Sequence, residues 1–305
     1  MSALILKIAE RFSLSRKLTG ARPTRGAEVE ISPAAPSCEQ IFTGVQIWYV
    51  PHDPENASAK HYGTLTQDDV REFATIRNLE KRHRSLATRS VLRRALSASV
   101  GGKIAPEEWR FDRSETGKPR LLNAAGTLNF SCSHTRWASI VAVSTIGPIG
   151  IDIESGAFPS NETWLADVFT PSECSVLKTM PEEEREAAVS RLWSLKEAYL
   201  KMLGTGIAEA LAVVFDPRDD RLCSGHLYRE PETANFRTWI AKSQGHRLSV
   251  AIAMSGSKEE GASRHQSIEE ARVSIRTKLA FAGNRAGARA SAPAPLFRIT
   301  GRAAA

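Results

Sequence analysis

The sequence predicts an α+β protein of two similar α/β subdomains in tandem, related by a pseudo-twofold, with the functional cleft at their interface. Three observations predict this. Residues 45–148 and 149–255 each combine a long helical pattern with several short β-rich runs. A Gly147-Pro148 break separates them. The 305 residues are 42% hydrophobic and 25% charged, enough apolar chain for a large core.

The elements follow in order. Residues 1–44 read as a poorly ordered extension. Met1–Leu18 is basic and mildly amphipathic but carries Glu10, which argues against a targeting segment, and Thr19–Gln40 has a linker's Pro, Ala, Gly and Ser content. Order is expected to begin with the β-rich run Val45–Val50, stopped by Pro51. Gln67–Val100 reads as helical. Leu79, Leu86, Val91, Leu92 and Leu96 form its apolar stripe, and Gly101-Gly102 form its end. Short strands are expected at Trp109–Phe111, Leu128–Ser131 and Ala138–Val143.

The second series opens with strand Ile149–Glu154 and a helical stretch from Thr163 to about Met180. A long helix is expected from Pro181 to Leu203. Pro181 suits the first helical position, Glu182-Glu183-Glu184 suit the positive end of the dipole, and Gly204 suits the stop. Strands recur at Ala212–Phe215, Phe236–Ala241 and Leu248–Met254, and residues 256–305 form a basic low-complexity tail.

Charge narrows the possible partners. The net +7 lies in the ends: residues 1–40 carry +2, residues 256–305 carry +5, and residues 41–255 are neutral. That distribution, without aromatic–basic interleaving, argues against nucleic-acid binding. Within the neutral stretch, residues 41–148 carry +5 and residues 149–255 carry −5. Such a pairing suits an anionic ligand held beside a metal ion, although on charge counts alone scatter is the favoured explanation. The cysteines Cys38, Cys132, Cys174 and Cys223 form no CxxC pair, which argues against structural zinc, and reduced thiols in a cytoplasm are the simplest reading. No apolar run is long enough to span a membrane.

Side chains alternate along a strand, so in Ile149–Glu154 Asp152 and Glu154 share one face while Ile151 and Ile153 share the other. Two carboxylates on one face suit a hard cation such as Mg²⁺, or simply a solvated acidic face. On the long helix, Trp193, Glu197 and Lys201 lie at i, i+4 and i+8, one face, although Glu197–Lys201 is also a routine helix ion pair. Upstream, Gly117-Lys118-Pro119 forms a turn presenting an ammonium. Asn129-Phe130-Ser131-Cys132-Ser133-His134 ends in side chains able to donate to phosphate.

The order and spacing of these pieces resemble the 4′-phosphopantetheinyl transferases of the surfactin-synthetase-activating type. That family has a Gly-Lys/Arg-Pro turn, an Asn-x-Ser-His segment, a Gly-Ile-Asp-Ile-Glu strand and a Trp-x-x-Lys-Glu-Ala-x-x-Lys helix. The matching residues here are Gly117–Pro119, Asn129–His134, Gly150–Glu154 and Trp193–Lys201, and Phe169–Glu173 resembles the family's Phe-(Ser/Thr)-x-x-Glu stretch. The second piece departs locally from the family form, and the resemblance covers about residues 45–255.

The resemblance implies a holo-[acyl-carrier-protein] synthase type of enzyme; the internal pseudo-repeat favours a monomer, and the basic and acidic halves favour an active site at the seam between subdomains. Its reaction moves the phosphopantetheine arm of coenzyme A onto a serine of an apo acyl or peptidyl carrier protein, releasing adenosine 3′,5′-bisphosphate. By carry-over, Asp152, Glu154 and Glu197 hold Mg²⁺, Glu197 or a water it orients takes the serine proton, and Lys201 lies against the pyrophosphate. Lys118, Pro119, Ser133 and His134 hold the adenosine end and 3′-phosphate, with Arg84 and Ser85 as further contacts and Arg71 or Arg77 in place of the family's basic pair. The first subdomain thus binds coenzyme A and the second supplies metal ligands and the catalytic helix. The carrier belongs to fatty-acid, polyketide, siderophore or other peptide synthesis, with secondary-metabolite biosynthesis as the general setting. The competing reading is a non-catalytic module that binds coenzyme A or a carrier.

Overall fold

The structure, a computed structural model, describes residues 28–30, 37–42, 44–52, 63–124, 128–156, 158, 162–218, 222–225 and 234–255. The chain divides into two units, residues 1–265 and 266–305, and every described residue belongs to the first. Met1–Leu18, most of the linker and the C-terminal tail therefore lie outside the described residues.

Pairing begins earlier than the composition suggests. Strands β1 (Glu28–Glu30) and β2 (Ser37–Phe42) precede β3 (Val45–Pro51). Their partners are distant or across a tight turn, which composition does not register: β1 pairs with residues 240–242 and β2 with β3.

The expected helix Gln67–Val100 is two helices, α1 (Gln67–Ala74) and α2 (Leu79–Ser99). Thr66 and Asp69 form a capping box on α1, and the Asn78 side chain accepts from the Lys81 amide to start α2. A side chain that satisfies the first free amides favours starting a new helix over continuing the old one. Asp69 also meets two buried cations, Arg89 Nη1 at 2.8 Å and Arg93 Nη2 at 2.7 Å. An Asp69→Ala variant leaves the buried Arg93 without a counter-charge and Arg89 with Glu72 alone, and is expected to lose about 3–5 kcal/mol of stability. Denaturant titration checks this, and an unchanged midpoint would contradict it.

Next come the short strands β4 (Phe111–Arg113) and β5 (Pro119–Leu121), then β6 (Asn129–His134), β7 (Ala138–Ser144) and β8 (Ile149–Glu154). The stretch from Thr163 to Met180 is also divided, into α3 (Glu162–Val168) and α4 (Pro171–Lys178), by a capping box of Thr170 and Glu173 followed by Pro171. The long helix α5 runs from Glu182 to Leu203. Pro181 precedes it as an extended N-cap (φ −52°, ψ 147°) rather than occupying its first turn, and Gly204 stops it at φ 78°. Strands β9 (Val213–Phe215), β10 (Leu222–Gly225), β11 (Ala234–Ser243) and β12 (His246–Ser255) complete the described chain.

The architecture is mixed α/β, as expected. Two four-stranded sheets, β2-β3-β7-β6 and β1-β11-β12-β8, supply a shared core. Val45, Ile47, Tyr49 and Ile140 of one meet Ile149, Ile151, Ile153, Trp239 and Val250 of the other. Helix α2 covers the outer face of the first sheet through Leu92, Ala95 and Leu96 against Phe130, Val141 and Val143. Helix α5 covers the outer face of the second through residues including Leu192, Leu195 and Tyr199. Each sheet thus carries a long helix on its outer side. A buried hydrogen bond from Trp239 Nε1 to the Tyr49 hydroxyl, 2.8 Å, and one from the Ile151 amide to Ser131 Oγ, 3.1 Å, join the two.

Cys132, Cys174 and Cys223 are free thiols. No helix among the described residues is long and apolar enough to cross a membrane.

Candidate active site

Strand β8 divides as alternation requires. Ile149, Ile151 and Ile153 fill the core between the sheets, while the opposite face lies under α5. Contact there is so close that a Cβ at Gly150 would overlap the Ala198 carbonyl oxygen and stand 2.5 Å from the Met202 nitrogen. A glycine at this position lets the strand backbone press against the helix. That approach places the Asp152 and Glu154 carboxylates beneath the Glu197–Lys201 face of α5. Asp152 is buried, not part of a solvated acidic face.

The polar atoms converge tightly. Asp152 Oδ1 accepts from Lys201 Nζ at 2.6 Å and from Ser133 Oγ at 2.7 Å. Lys201 Nζ also lies 3.1 Å from Ser133 Oγ and 3.7 Å from Glu197 Oε2. Glu154 Oε1 accepts from Trp193 Nε1 at 3.2 Å. The expected face of α5 is thereby realised: Trp193, Glu197 and Lys201 all address β8 or its acidic partners.

Electrostatics record the crowding. Burial, then the negative charges of Asp152 and Glu197, hold the Glu154 carboxyl well above the usual carboxylate range. Burial chiefly, with Asp152 adding, raises Glu197 as well. Burial pulls on the Lys201 ammonium in the opposite sense, but Asp152 and Glu197 outweigh it and raise its pKa, so it stays charged.

The remaining sites expected from sequence lie around this centre. His134 ends β6; desolvation, then the positive charges of Arg84, Lys201 and Lys81, push its imidazole down to about 4. Arg84 Nη1 lies 2.7 Å from Glu80, and its Nε is buried without a hydrogen-bond partner. Ser85 donates to the Lys81 carbonyl one turn back. Lys118 follows a turn at Gly117 and reaches across the seam to donate to the Met202 carbonyl, 3.0 Å, near the C-terminal end of α5. Burial brings its ammonium down to about 8. Lys118, Pro119, Asn129 and Phe130 also line a pocket of about 200 Å³. Arg71 and Arg77 stand apart on the exposed surface, Arg71 paired with Asp68.

Among the described residues, no three His, Cys, Asp or Glu side chains are grouped to hold a metal. The acidic groups instead gather around the Lys201 ammonium, which a buried carboxylate under a helix needs as a counter-charge. The donor set still fits a hard cation. Asp152 Oδ2 is buried with no hydrogen-bond partner, and the raised Glu154 and Glu197 carboxyls would be relieved by added positive charge.

Residues 148–253 match the family model of the 4′-phosphopantetheinyl transferase superfamily. A 4′-phosphopantetheinyl transferase of Nostoc sp., HetI, is 32% identical over 193 residues, spanning 61% of this chain and 81% of the relative. The chain belongs to the 4′-phosphopantetheinyl transferase superfamily. A 4′-phosphopantetheinyl transferase of Bacillus subtilis is 31% identical over 176 residues, spanning 57% of this chain and 75% of that protein. An L-aminoadipate-semialdehyde dehydrogenase-phosphopantetheinyl transferase of Eremothecium gossypii is 31% identical over 193 residues, spanning 60% and 70%.

In this superfamily member, sequence reading missed groups whose partners are remote. The Asp69–Arg89–Arg93 cluster and the Glu173–Lys196 pair are both buried. Charged residues at helical positions read as solvated until their partners are known. For the second pair the sequence holds two signals, the Phe169–Glu173 stretch and the Lys196 position of the Trp-x-x-Lys-Glu-Ala-x-x-Lys pattern, and neither carries a role by itself.

Proposed function

We propose that this transferase moves the phosphopantetheine arm of coenzyme A to a serine hydroxyl of an apo acyl or peptidyl carrier protein, releasing adenosine 3′,5′-bisphosphate, in the manner of the surfactin-synthetase-activating type. One observation carries the reading: Asp152 and Glu154 of β8, Ser133 of β6, and Glu197 and Lys201 of α5 meet at the seam between residues 45–148 and 149–255.

Asp152, Glu154 and Glu197 are the residues that would hold Mg²⁺. When bound, the ion would polarise the attacked phosphoryl group and offset charge in the pentacoordinate transition state. Glu197, partly exposed and with a raised pKa, is suited to take the proton of the acceptor hydroxyl, directly or through a water. Lys201 stays cationic and stabilises negative charge on the departing bisphosphate. Ser133 fixes the Asp152–Lys201 pair from below. Arg84, Ser85, Lys118, Pro119, Ser133 and a neutral His134 would line the side of the cleft that takes the adenosine and its 3′-phosphate, with Arg84 and Lys118 supplying the positive charge.

The test is to incubate the protein with Mg²⁺, coenzyme A and a panel of apo carriers, and to read phosphopantetheine addition by mass spectrometry. Holo carrier is expected. Coenzyme A binding without any holo product would favour a non-catalytic module instead.

Lys118 supplies a pH test. Only the protonated amine attracts phosphate, and its pKa is held down to about 8. Coenzyme A affinity is therefore expected to weaken as pH rises from about 7 to about 9. Lys118→Arg, always charged, should flatten that slope, and Lys118→Ala should raise KM for coenzyme A more than it lowers kcat. Titration calorimetry across this range decides: equal slopes for wild type and Lys118→Arg would remove Lys118 from phosphate binding.

A further inference from the structure

Glu173 and Lys196 are buried completely, each side chain at 0% exposure, and belong to none of the groups assigned above. Glu173 Oε2 lies 2.7 Å from Lys196 Nζ. Glu173 Oε1 accepts from the Phe215 amide at 2.9 Å, and Oε2 also accepts from the Thr170 amide at 2.8 Å. Lys196 Nζ donates to the carbonyls of Ala210 and Val213, both at 2.8 Å. An ammonium has three protons, and here all three have acceptors. One ion pair therefore ties α5 to α4, to the 3₁₀ segment Ile207–Ala212 and to β9.

Lys196 immediately precedes Glu197. Consecutive side chains on an α-helix lie about 100° apart, so fixing the direction of one fixes the other. Apolar packing is non-directional and lets a helix slide or turn a little. An ammonium seated on three fixed acceptors permits one azimuth. The charge pairing itself adds little stability over apolar residues of similar volume, and what the two side chains add beyond it is directional hydrogen bonding to backbone groups of three other elements.

We infer that the Glu173–Lys196 pair is a positioning device. It sets the rotation of α5 so that Glu197 and Lys201 face Asp152 and Glu154, and it does so from the adjoining face of the helix, about 100° round from Glu197. This inference rests on the reaction proposed above, because that reaction is what demands the placement.

The test compares wild type with the double variant Glu173→Leu/Lys196→Met, which removes both charges, by thermal melting, steady-state kinetics and crystal structure. The double variant leaves the Phe215 and Thr170 amides and the Ala210 and Val213 carbonyls without these partners, so it is expected to melt below wild type, but to keep its KM for coenzyme A within about twofold while folded. Its kcat should fall by roughly ten- to a hundredfold, the scale of an ångström-level misplacement. Its crystal structure should show Lys201 Nζ withdrawn from Asp152 Oδ1. Wild-type kcat, or Lys201 still seated on Asp152, would overturn the inference and leave the pair a structural one. If the double variant does not fold, Lys196→Arg serves, keeping the cation but not its geometry; it should show the same kcat loss at unchanged KM, and wild-type kcat would overturn the inference. If wild type itself makes no holo carrier, the proposed reaction fails by that result, and the position of Lys201 in the variant structure still decides the clamp.

Discussion

Glu197→Gln is expected to abolish carrier modification while leaving the fold intact. The side chain is asked to do two things, to bring a negative oxygen to the proposed cation and to accept the serine proton, and an amide does neither. Loss of a positioned proton acceptor alone costs roughly 10²–10⁴-fold in rate. Retention of the fold follows from the direction of the pKa shift. Burial and Asp152 raise the Glu197 carboxyl, so folding disfavours its charged form. The contribution of that shift is therefore unfavourable above the unfolded-state pKa, and a neutral isostere relieves it. At neutral pH the variant should melt at or above the wild-type temperature. Mass spectrometry of the carrier and a melting curve are the two measurements. Transfer at the wild-type rate would remove Glu197 from the chemistry, and a large drop in melting temperature would show that its charge holds α5 in place.

Gly150→Ala is expected to have the next largest effect, through packing. The added methyl has nowhere to go: its neighbours are the Ala198 carbonyl oxygen and the Met202 nitrogen, both helix backbone. A flexible side chain would yield at little cost, but here a whole helix must shift. Overpacking of this kind costs about 1–3 kcal/mol. The helix that moves carries Glu197 and Lys201, so transfer should fall together with stability. Urea titration and the carrier assay report the two effects, and a variant with the wild-type midpoint would mean that β8 and α5 are not in such close contact.

The paired behaviour of these variants marks where sequence reading succeeds. Alternation in Ile149–Glu154 separates core isoleucines from carboxylates because strand geometry has a strict period of two, and the structure keeps that division. The spacing of Trp193, Glu197 and Lys201 predicts one helical face for the same kind of reason. Helix boundaries were less legible. Asn78 and Thr170 each start a new helix where periodicity alone continues the old one, because the choice depends on a single capping hydrogen bond. The strands at Glu28–Glu30 and Ser37–Phe42 were illegible, since their stability comes from partners and not from their own composition.

Local chemistry written in the chain thus determined the mixed α/β class, the faces of β8 and α5, and the acidic, basic and hydroxyl groups that furnish the candidate site. Tertiary structure alone decided that Lys201 sits on Asp152 and that Lys118 reaches Met202. It also decided that Lys196 is buried against Glu173, an ammonium among apolar neighbours, and not exposed to solvent. The physical reason is range. Periodicity and capping act over a few residues, whereas a charge takes its meaning from partners that only the packed sheets and helices bring within reach.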